Sequence, residues 1–334
     1  MEAIEKLPEV DLLISFDCGI SSVEEVEALK ARGIDVLITD HHEPGDILPD
    51  APIMNPKLGY SFPYLAGVGV AYKLARYLSK HYDYMLPKEA IVYAMLGTVC
   101  DLMPLQKENR WMVQQGLEGY SKTSHPGLRA LLEVTGDQQL DATKVGFQLG
   151  PMLNAAGRMG DPSIALNLLR GIGDSPKLAE ALKENNEARK EEERKTLLEA
   201  EEKLDPDSPM IVLEGPWKKG VLGLVASRLS EAYRKPSILM DESLSGSCRS
   251  VGSFSILSAL EDSKDYLAHY GGHDKAAGLQ VVEGELENFL NKIHAYTKDN
   301  LDFLDTRKTF SYLSLESGDV TLSLLDELNF LAPF

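Results

Sequence analysis

Two short apolar runs, each ending in an acid, constrain this chain more than any other feature: VDLLISFD at residues 10 to 17 and IDVLITD at residues 34 to 40. Each has the length and the Val/Ile/Leu content of a strand buried on both faces. Between them SSVEEVEALKARG, residues 21 to 33, reads as a helix. Ser22 can cap it, Glu24 and Glu25 sit in its first turn, and Gly33 closes it. A strand, a helix and a second strand in so short a span predict a parallel sheet with helices on its faces. In such sheets ligands gather beyond the carboxyl ends of the strands. Asp17 and the triplet Asp40-His41-His42 stand at those ends.

Further helices are expected over 67 to 80, 88 to 99, 108 to 119 and 125 to 135, and a loop around 141 to 160 centred on GPMLNAAGRMGD. The stretch LAEALKENNEARKEEERKTLLEAEEKLDPD mixes both charges at helical spacing, so an exposed helix that connects domains is expected there. After Pro209 the β-rich alternation resumes. MIVLEG reads as a strand, VLGLVASRLSEAYR as a helix and PSILM as a strand, followed by SGSCRSVGS. A helix near 255 to 268, then GGHDKAAGLQV leading into a strand, then a helix to about residue 300 complete a second, smaller α/β domain. The expected fold class is therefore α/β, two domains joined by a long helix, which suits 334 residues. The expected boundaries are 1 to 150 for the parallel-sheet domain, 151 to 207 for the linking segment and long helix, 208 to 300 for the second domain, and a further segment over 301 to 334.

Hydrophobic residues at 43% and charged residues at 26% are those of an ordinary globular chain. No apolar stretch approaches the ~20 residues that span a bilayer, and the acids near the start do not suit a signal peptide, so a cytoplasmic location is expected. Cys18, Cys100 and Cys248 lie far apart with no CxxC pair, which excludes a disulfide framework and a zinc knuckle. They read as small buried fillers. A formal net charge of −18 argues against coating duplex nucleic acid through bulk charge. Much of the excess acid sits within 184 to 207, so a local groove lined by a few arginines and a metal stays compatible with it.

Three groups of residues can carry chemistry. In the first, Asp17, Asp40-His41-His42 and Asp101 combine carboxylate and imidazole, a donor set suited to manganese, iron or zinc. Two such ions ~4 Å apart can clamp an in-line displacement at phosphorus. A single strand-end aspartate more often caps a turn, but two adjacent histidines cannot both face a core. The second group is GGHDKAAG, residues 271 to 278. Gly271 and Gly272 can let backbone approach a phosphate or base, and His273 can donate to a phosphate oxygen; the plainer reading is a glycine turn before a strand. The third is arginine among small residues: Arg158 after Gly157 with Asn154 nearby, and Arg249 between Cys248 and Ser250. Such arginines can contact phosphate, though singly each is more often solvated or structural. Trp217 beside Lys218 and Lys219 suits a stacking corner less well than a half-buried Trp with two surface lysines. His81, His125, His269 and His294 read as surface or core residues.

Taken together, these segments resemble the DHH phosphoesterase superfamily, and within it the RecJ-like single-strand exonucleases. The matching stretches run in the family's order over nearly the whole chain: LISFDCGISSVEEVEALKARGIDVLITDHHEPGDILPDAPIMNP, LAGVGVAYKLARYL, AMLGTVCDLMPL, GPMLNAAGRMGDPSIALNLL, WKKGVLGLVASRLSEAYRKPSILM, GSCRSVGSF and YGGHDKAAGLQV. Asp-His-His with a downstream GGHxxAAG, and NAAGR between them, is specific to the RecJ-like members.

The resemblance implies a parallel-sheet DHH domain and a smaller DHHA1 domain. It implies Asp17 as a bridge between two manganese ions (with magnesium as the alternative), His41 and Asp101 as further ligands of one ion, and His42 at the phosphate or supporting the site. Asp40 then orients the triplet. Arg249, Gly271, Gly272 and His273 become contacts to the strand, and Asn154 and Arg158 part of the path between domains. The implied reaction is 5′-to-3′ exonucleolytic hydrolysis of single-stranded DNA in repair and recombination, with a helicase or a single-strand-binding protein as further partners and no membrane.

The sequence departs from the family pattern in two places. Only 16 residues precede Asp17 and they hold no Asp-x-Asp, so the family's first metal motif is not matched, and one ion keeps three ligands while the other keeps the bridge. LDELNFLAPF resembles the opening of a segment that the family continues into an OB-type barrel. Both ends are expected to be cut. Two other readings follow: a nucleic-acid-binding fragment or pseudo-nuclease without full catalysis, and a phosphodiesterase of small oligonucleotides.

Overall fold

The computed structural model describes residue 4 and residues 6–136, 140–300 and 314–333. The chain divides into two compact units, one of residues 1–153, 166–180 and 315–334, the other of residues 154–165 and 181–314.

The first unit is built on a three-stranded parallel sheet, β1 (Leu12–Phe16), β2 (Asp35–Thr39) and β3 (Ile53–Met54), in that order. The register aligns Phe16 with Thr39 and Thr39 with Met54. The next residues, Asp17, Asp40 and Asn55, therefore leave the sheet together at its carboxyl end. Helix α1 (Val23–Ala31) packs Val26 and Leu29 against Val36 and Ile38 of β2. The expected helix is present, but Ser22 makes no side-chain cap bond. Gly33 does close it, at φ +77, and the Ile34 N–H reaches back to the Leu29 carbonyl. The expectation that 10 to 17 is a buried strand is corrected. β1 is an edge strand, with Leu12, Ile14 and Phe16 exposed by 51%, 37% and 53%.

Four helices follow: α2 (Gly67–His81), α3 (Ala90–Cys100), α4 (Lys107–Ser121) and α5 (Pro126–Thr135). Apolar spacing places each within about two residues of its expected span. α3 is almost wholly apolar and is the buried centre, with Ala94, Met95 and Leu96 inside. α4 crosses it at Gly116, where a side-chain carbon would stand 2.1 Å from the Met95 Cβ. Glu108 of α4 holds Lys73 of α2 and accepts from the Tyr60 hydroxyl at 2.5 Å.

Residues 142 to 159 are helical, which corrects the loop expectation. A single turn over Ala142–Lys144 and a wide π turn over Val145–Leu149 run into α6 (Gly150–Met159). Glycine and proline prompt the loop reading, yet neither acts as a breaker here. Pro151 lies inside a continuous helical run, directly after the wide π turn, where the i→i−4 ladder is already interrupted. Gly150 lacks a side chain because one would meet the Cys100 sulfur at 2.7 Å. Leu149, Met152 and Ala156 are buried at helical spacing. Helix α7 (Ser163–Arg170) and the 28-residue α8 (Ser175–Glu202) complete this stretch; the latter is the expected charged helix, but the expectation that it is exposed is corrected for one face, where Leu182, Asn186, Arg189, Glu193 and Ala200 are buried. Each of α6, α7 and α8 contributes residues to both units.

The second unit carries a five-stranded sheet in the order β4 (Ile211–Glu214), β5 (Ser237–Met240), β6 (Ser245–Arg249), β8 (Ala276–Val281), β7 (Leu267–His273). β4 and β5 are parallel, joined through α9 (Lys219–Tyr233); the other pairings are antiparallel. Leu239 faces a core with α9, while Ile238 and Met240 face one with α10 (Ile256–Asp262) and α11 (Leu286–Asp299). Helix α10 stops at Asp262, short of the expected 268, because Leu267 already begins β7. GGH lies within that strand, so the plain turn reading of the glycine pair is also corrected.

The OB-type segment expected from residue 301 lies outside the described residues as far as 313. Beyond it α12 (Leu322–Asn329) leads to backbone carbonyls of Phe330, Ala332 and Pro333 that accept from the Arg110 guanidinium. Among the described residues no helix is long and apolar enough to cross a membrane.

The α3–α4 crossing sets where α3 ends. Gly116→Ala is expected to destabilise the protein by about 1–3 kcal/mol through overpacking against Met95, read as a lower urea midpoint with an unchanged slope.

Candidate metal centre

Asp40 is 1% exposed, yet its carboxylate is fully engaged. Oδ2 accepts the Ile20 N–H at 2.9 Å. Oδ1 accepts the backbone N–H groups of His41 and His42 at 2.7 and 3.2 Å, and the His42 Nδ1–H at 2.8 Å. Burial acts to raise its pKa, but the bonds from Ile20, His42 and His41 together hold the carboxyl below the usual carboxylate value. A proton fixed on His42 Nδ1 leaves Nε2 as the atom that can ligate or, when protonated, donate. The His42 carbonyl accepts from the side-chain amide of Asn55 at 2.9 Å. The triplet is thus braced from both neighbouring strand ends.

His41 is buried, and its Nε2 meets two carboxylates: Asp17 Oδ1 at 3.1 Å and Asp101 Oδ2 at 3.6 Å. Asp17, His41 and His42 each offer a ligand atom within 4.8 Å of the others. Asp17 sits in the left-handed region at φ +63, with its N–H on the Thr39 carbonyl at 2.9 Å. Aspartate tolerates that conformation better than most residues. Its side chain lies against the first residue of α2, where a carbon added to Gly67 would stand 2.2 Å from Oδ1. The positive end of a 15-residue helix favours an anion there.

Asp101 caps the C-terminus of α3, the negative end of that helix. Leu102 turns the chain at φ +54, a position that glycine usually fills. Burial raises the Asp101 pKa, the Asp17 carboxylate adds to the rise, and His41 opposes it. The Asp17 carboxylate and two imidazoles converge, with Asp101 beside His41 but outside that closest group, and this donor set fits a divalent cation: its charge relieves the repulsion, and the donors are of the type that manganese or magnesium-class ions take.

The second unit brings other expected residues together. Across the sheet Arg249 pairs with Ala276, and Ala276 with His273, so the three form one row on one face. The strand spacing puts the outer two ~10 Å apart. Arg249 donates to the Ser227 hydroxyl at 3.0 Å and the Cys248 carbonyl at 2.8 Å. Arg158 donates to the Gly220 carbonyl at 3.2 Å, and Asn154 lies one helical turn before it. Desolvation, then nearby cations, lower both arginine pKa values, with Arg189 acting on Arg158 and Arg158 on Arg249. Such a cationic cluster suits an anion. Gly271 and Gly272 are exposed in β7; Gly272, at φ +145, lets β8 come close. Trp217 is buried and donates to Glu199 at 2.9 Å, while Lys218 pairs with Glu192, so this corner holds the fold rather than a base.

Among the cysteines only Cys248 is the expected buried filler; burial pushes its thiol up to about 12. Cys100 is half-buried with its thiol pushed up to about 11, and Cys18 is exposed, which corrects that expectation. Sequence reasoning missed Asn55, Gly67, Gly220 and Gly223. Gly220 and Gly223 give room to the Arg158 backbone and the Arg249 guanidinium. Asn55 alone left a signal, a polar residue closing the third apolar run, IMN.

The DHH family, N-terminal domain, matches residues 2–98, and the DHHA1 domain matches residues 207–299. The single-stranded-DNA-specific exonuclease RecJ of Bacillus subtilis (strain 168) is 36% identical over 97% of this chain and 43% of its own length. The crystal structure of RecJ in complex with Mn2+ from Thermus thermophilus superposes with a TM-score of 0.89 at 32% identity, over 100% of this chain and 51% of that one. A crystal structure of exonuclease RecJ bound to manganese does so at 0.80 and 34% identity, over 89% of this chain and 78% of that one. The chain spans about half the length of the curated relatives it matches.

Two substitutions test the centre without touching a proposed donor atom of His41 or Asp101. Gly67→Ala displaces Asp17 and is expected to weaken Mn2+ binding about tenfold; Asp40→Asn removes the charge that fixes the His42 ring and should weaken it about 10–100-fold. Both are read by calorimetric titration with Mn2+. Unchanged affinity in both variants would show that the ion is held elsewhere.

Proposed function

This chain belongs to the RecJ family of DHH proteins, and from that membership we propose that it is a metal-dependent hydrolase of phosphodiester bonds in single-stranded DNA. The reading includes 5′-to-3′ direction, release of mononucleotides, and work in repair and recombination in the cytoplasm, on strands that a helicase opens or a single-strand-binding protein covers. The observation that carries it is that Asp17 Oδ1 and Asp101 Oδ2 both stand against His41 Nε2, with His42 beside Asp17, where Asp17 and the histidines leave the carboxyl end of a parallel sheet.

Asp17, His41 and Asp101 would hold manganese, or magnesium in its place. When bound, such an ion supplies Lewis-acid polarisation and a water acidified toward neutral pH. The chain's own residues do the rest. Asp40 holds the His42 ring by Nδ1, so that a protonated Nε2 can donate to a phosphate oxygen. Arg249 and His273, from one row of the second sheet, and Arg158 with Asn154, offer donors and charge to backbone phosphates. Gly271 and Gly272 leave the strand room beside His273.

A second reading, strand binding without cleavage, is favoured by one observation. Among the described residues the converging donors suffice for one ion, whereas a two-ion displacement needs donors to both.

The test is Mn2+-dependent degradation of a 5′-labelled single-stranded oligonucleotide. Mononucleotides are expected, with Asp101→Ala and His41→Ala each lowering the rate by about 100-fold or more. Binding with no cut would replace the proposal by the second reading. Cleavage of a dinucleotide in preference to the long strand would point to a small-oligonucleotide phosphodiesterase instead.

A further inference from the structure

Helix α2 carries Lys73, Arg76, Lys80 and His81 and not one acid, in a chain whose formal net charge is −18. Its cations are not scattered. Lys73, Arg76 and Lys80 follow one another at i, i+3 and i+7, on a single stripe. Aromatic rings accompany them. Lys73 Nζ stands 4.5 Å from the centre of the Tyr60 ring, and the Arg76 guanidinium 5.8 and 5.5 Å from those of Tyr72 and Trp111. Tyr77 stacks on His81 at 4.0 Å. Tyr60, Tyr77 and Trp111 remain exposed by 41%, 56% and 44%. The one acid in this network, Glu108, is already engaged by Lys73 and Tyr60.

The stripe also has an origin. The first residue of α2 touches Asp17, and Arg76 lies nine residues on, about 14 Å along the axis. Beside Lys73 a cavity of about 390 Å³ opens, walled by Met54, Asn55, Pro56 and Tyr60. Asn55 is the residue whose amide holds the His42 carbonyl. Cavity and stripe thus run away from the metal centre within one unit.

We propose that this face of α2, with Tyr60 and Trp111 beside it, binds the single strand beyond the scissile phosphate: the cations take backbone phosphates and the exposed rings take base faces. This rests on the reading of the protein as a single-strand nuclease. Cation and aromatic in alternation match a polyanion with stacked faces, whereas an acidic protein segment would match the charges and leave the rings without a role.

The test uses the full chain without divalent metal, so that nothing is cut, and a fluorescently labelled 12-nucleotide oligothymidylate titrated over a series of salt concentrations. Arg76→Gln with Lys80→Gln is expected to weaken binding about tenfold and to flatten the salt slope by about 1.4, two phosphate contacts at ~0.7 each. Trp111→Ala is expected to weaken binding about tenfold with the slope unchanged, since stacking releases no counterions. Thermal melts check that the variants fold. Binding of a dinucleotide, too short to reach Arg76, should be the same in all. If the parent chain binds the 12-mer and the variants match it in affinity and slope, the surface is refuted while the nuclease reading stands. If the parent chain binds no oligonucleotide at low salt, both fall.

Discussion

One buried carboxylate organises this protein's centre. Asp40 would be a costly group to bury alone. Here it accepts three backbone N–H groups and one imidazole N–H, from residues 20, 41 and 42. Those bonds tie the loop after β1 to the loop after β2. Asp17 is fixed to the same place through its own N–H on the Thr39 carbonyl. Remove the Asp40 carboxylate and all four donors lose their acceptor at once, so the geometry of His41 and His42 depends on it.

This much is legible in the sequence because the physics is local. A strand, a helix and a second strand leave few ways to fold, and register then carries Asp17, Asp40 and Asn55 to one end. Two adjacent histidines after an acid cannot be read as core. What the sequence conceals has a different origin. α6 reads as a loop because its glycines and proline are breakers in isolation, and only the tertiary neighbour, the Cys100 sulfur against Gly150, shows that the glycine answers a close approach. β1 has the composition of a buried strand, but exposure depends on which neighbours a strand has, and composition does not report that. Gly67, Gly220 and Gly223 are hidden for the same reason: what they do is make room for residues far away in sequence.

Net charge misleads in a comparable way. α8 holds nine acids and six bases, and several of them pair along the same helix, so most of the excess acid is spread over the rest of the chain. Elsewhere cations outnumber the acids beside them, on α2, where Glu108 engages Lys73, and around Arg158 and Arg249, where Glu193 engages Arg189 and Arg228. Screening limits the reach of an exposed charge to ~10 Å at moderate ionic strength. A phosphate at either cluster therefore senses the charges beside it far more than the chain's total.

The centre is also a place where the fold carries a cost that a cation would relieve. Asp101 sits at the unfavourable end of the α3 dipole, beside the Asp17 carboxylate, and its pKa is raised in consequence of burial and that neighbour. Leu102 adopts a left-handed conformation that suits glycine better, and Asp17 another. Selection for stability alone would place an asparagine or glycine at such positions. A divalent ion would reverse the balance, because the opposed carboxylates could then serve as its ligands. Metal binding and local order at residues 17–19 and 101–103 are then one equilibrium, and affinity for the ion is reduced by whatever free energy the protein needs to hold those two turns.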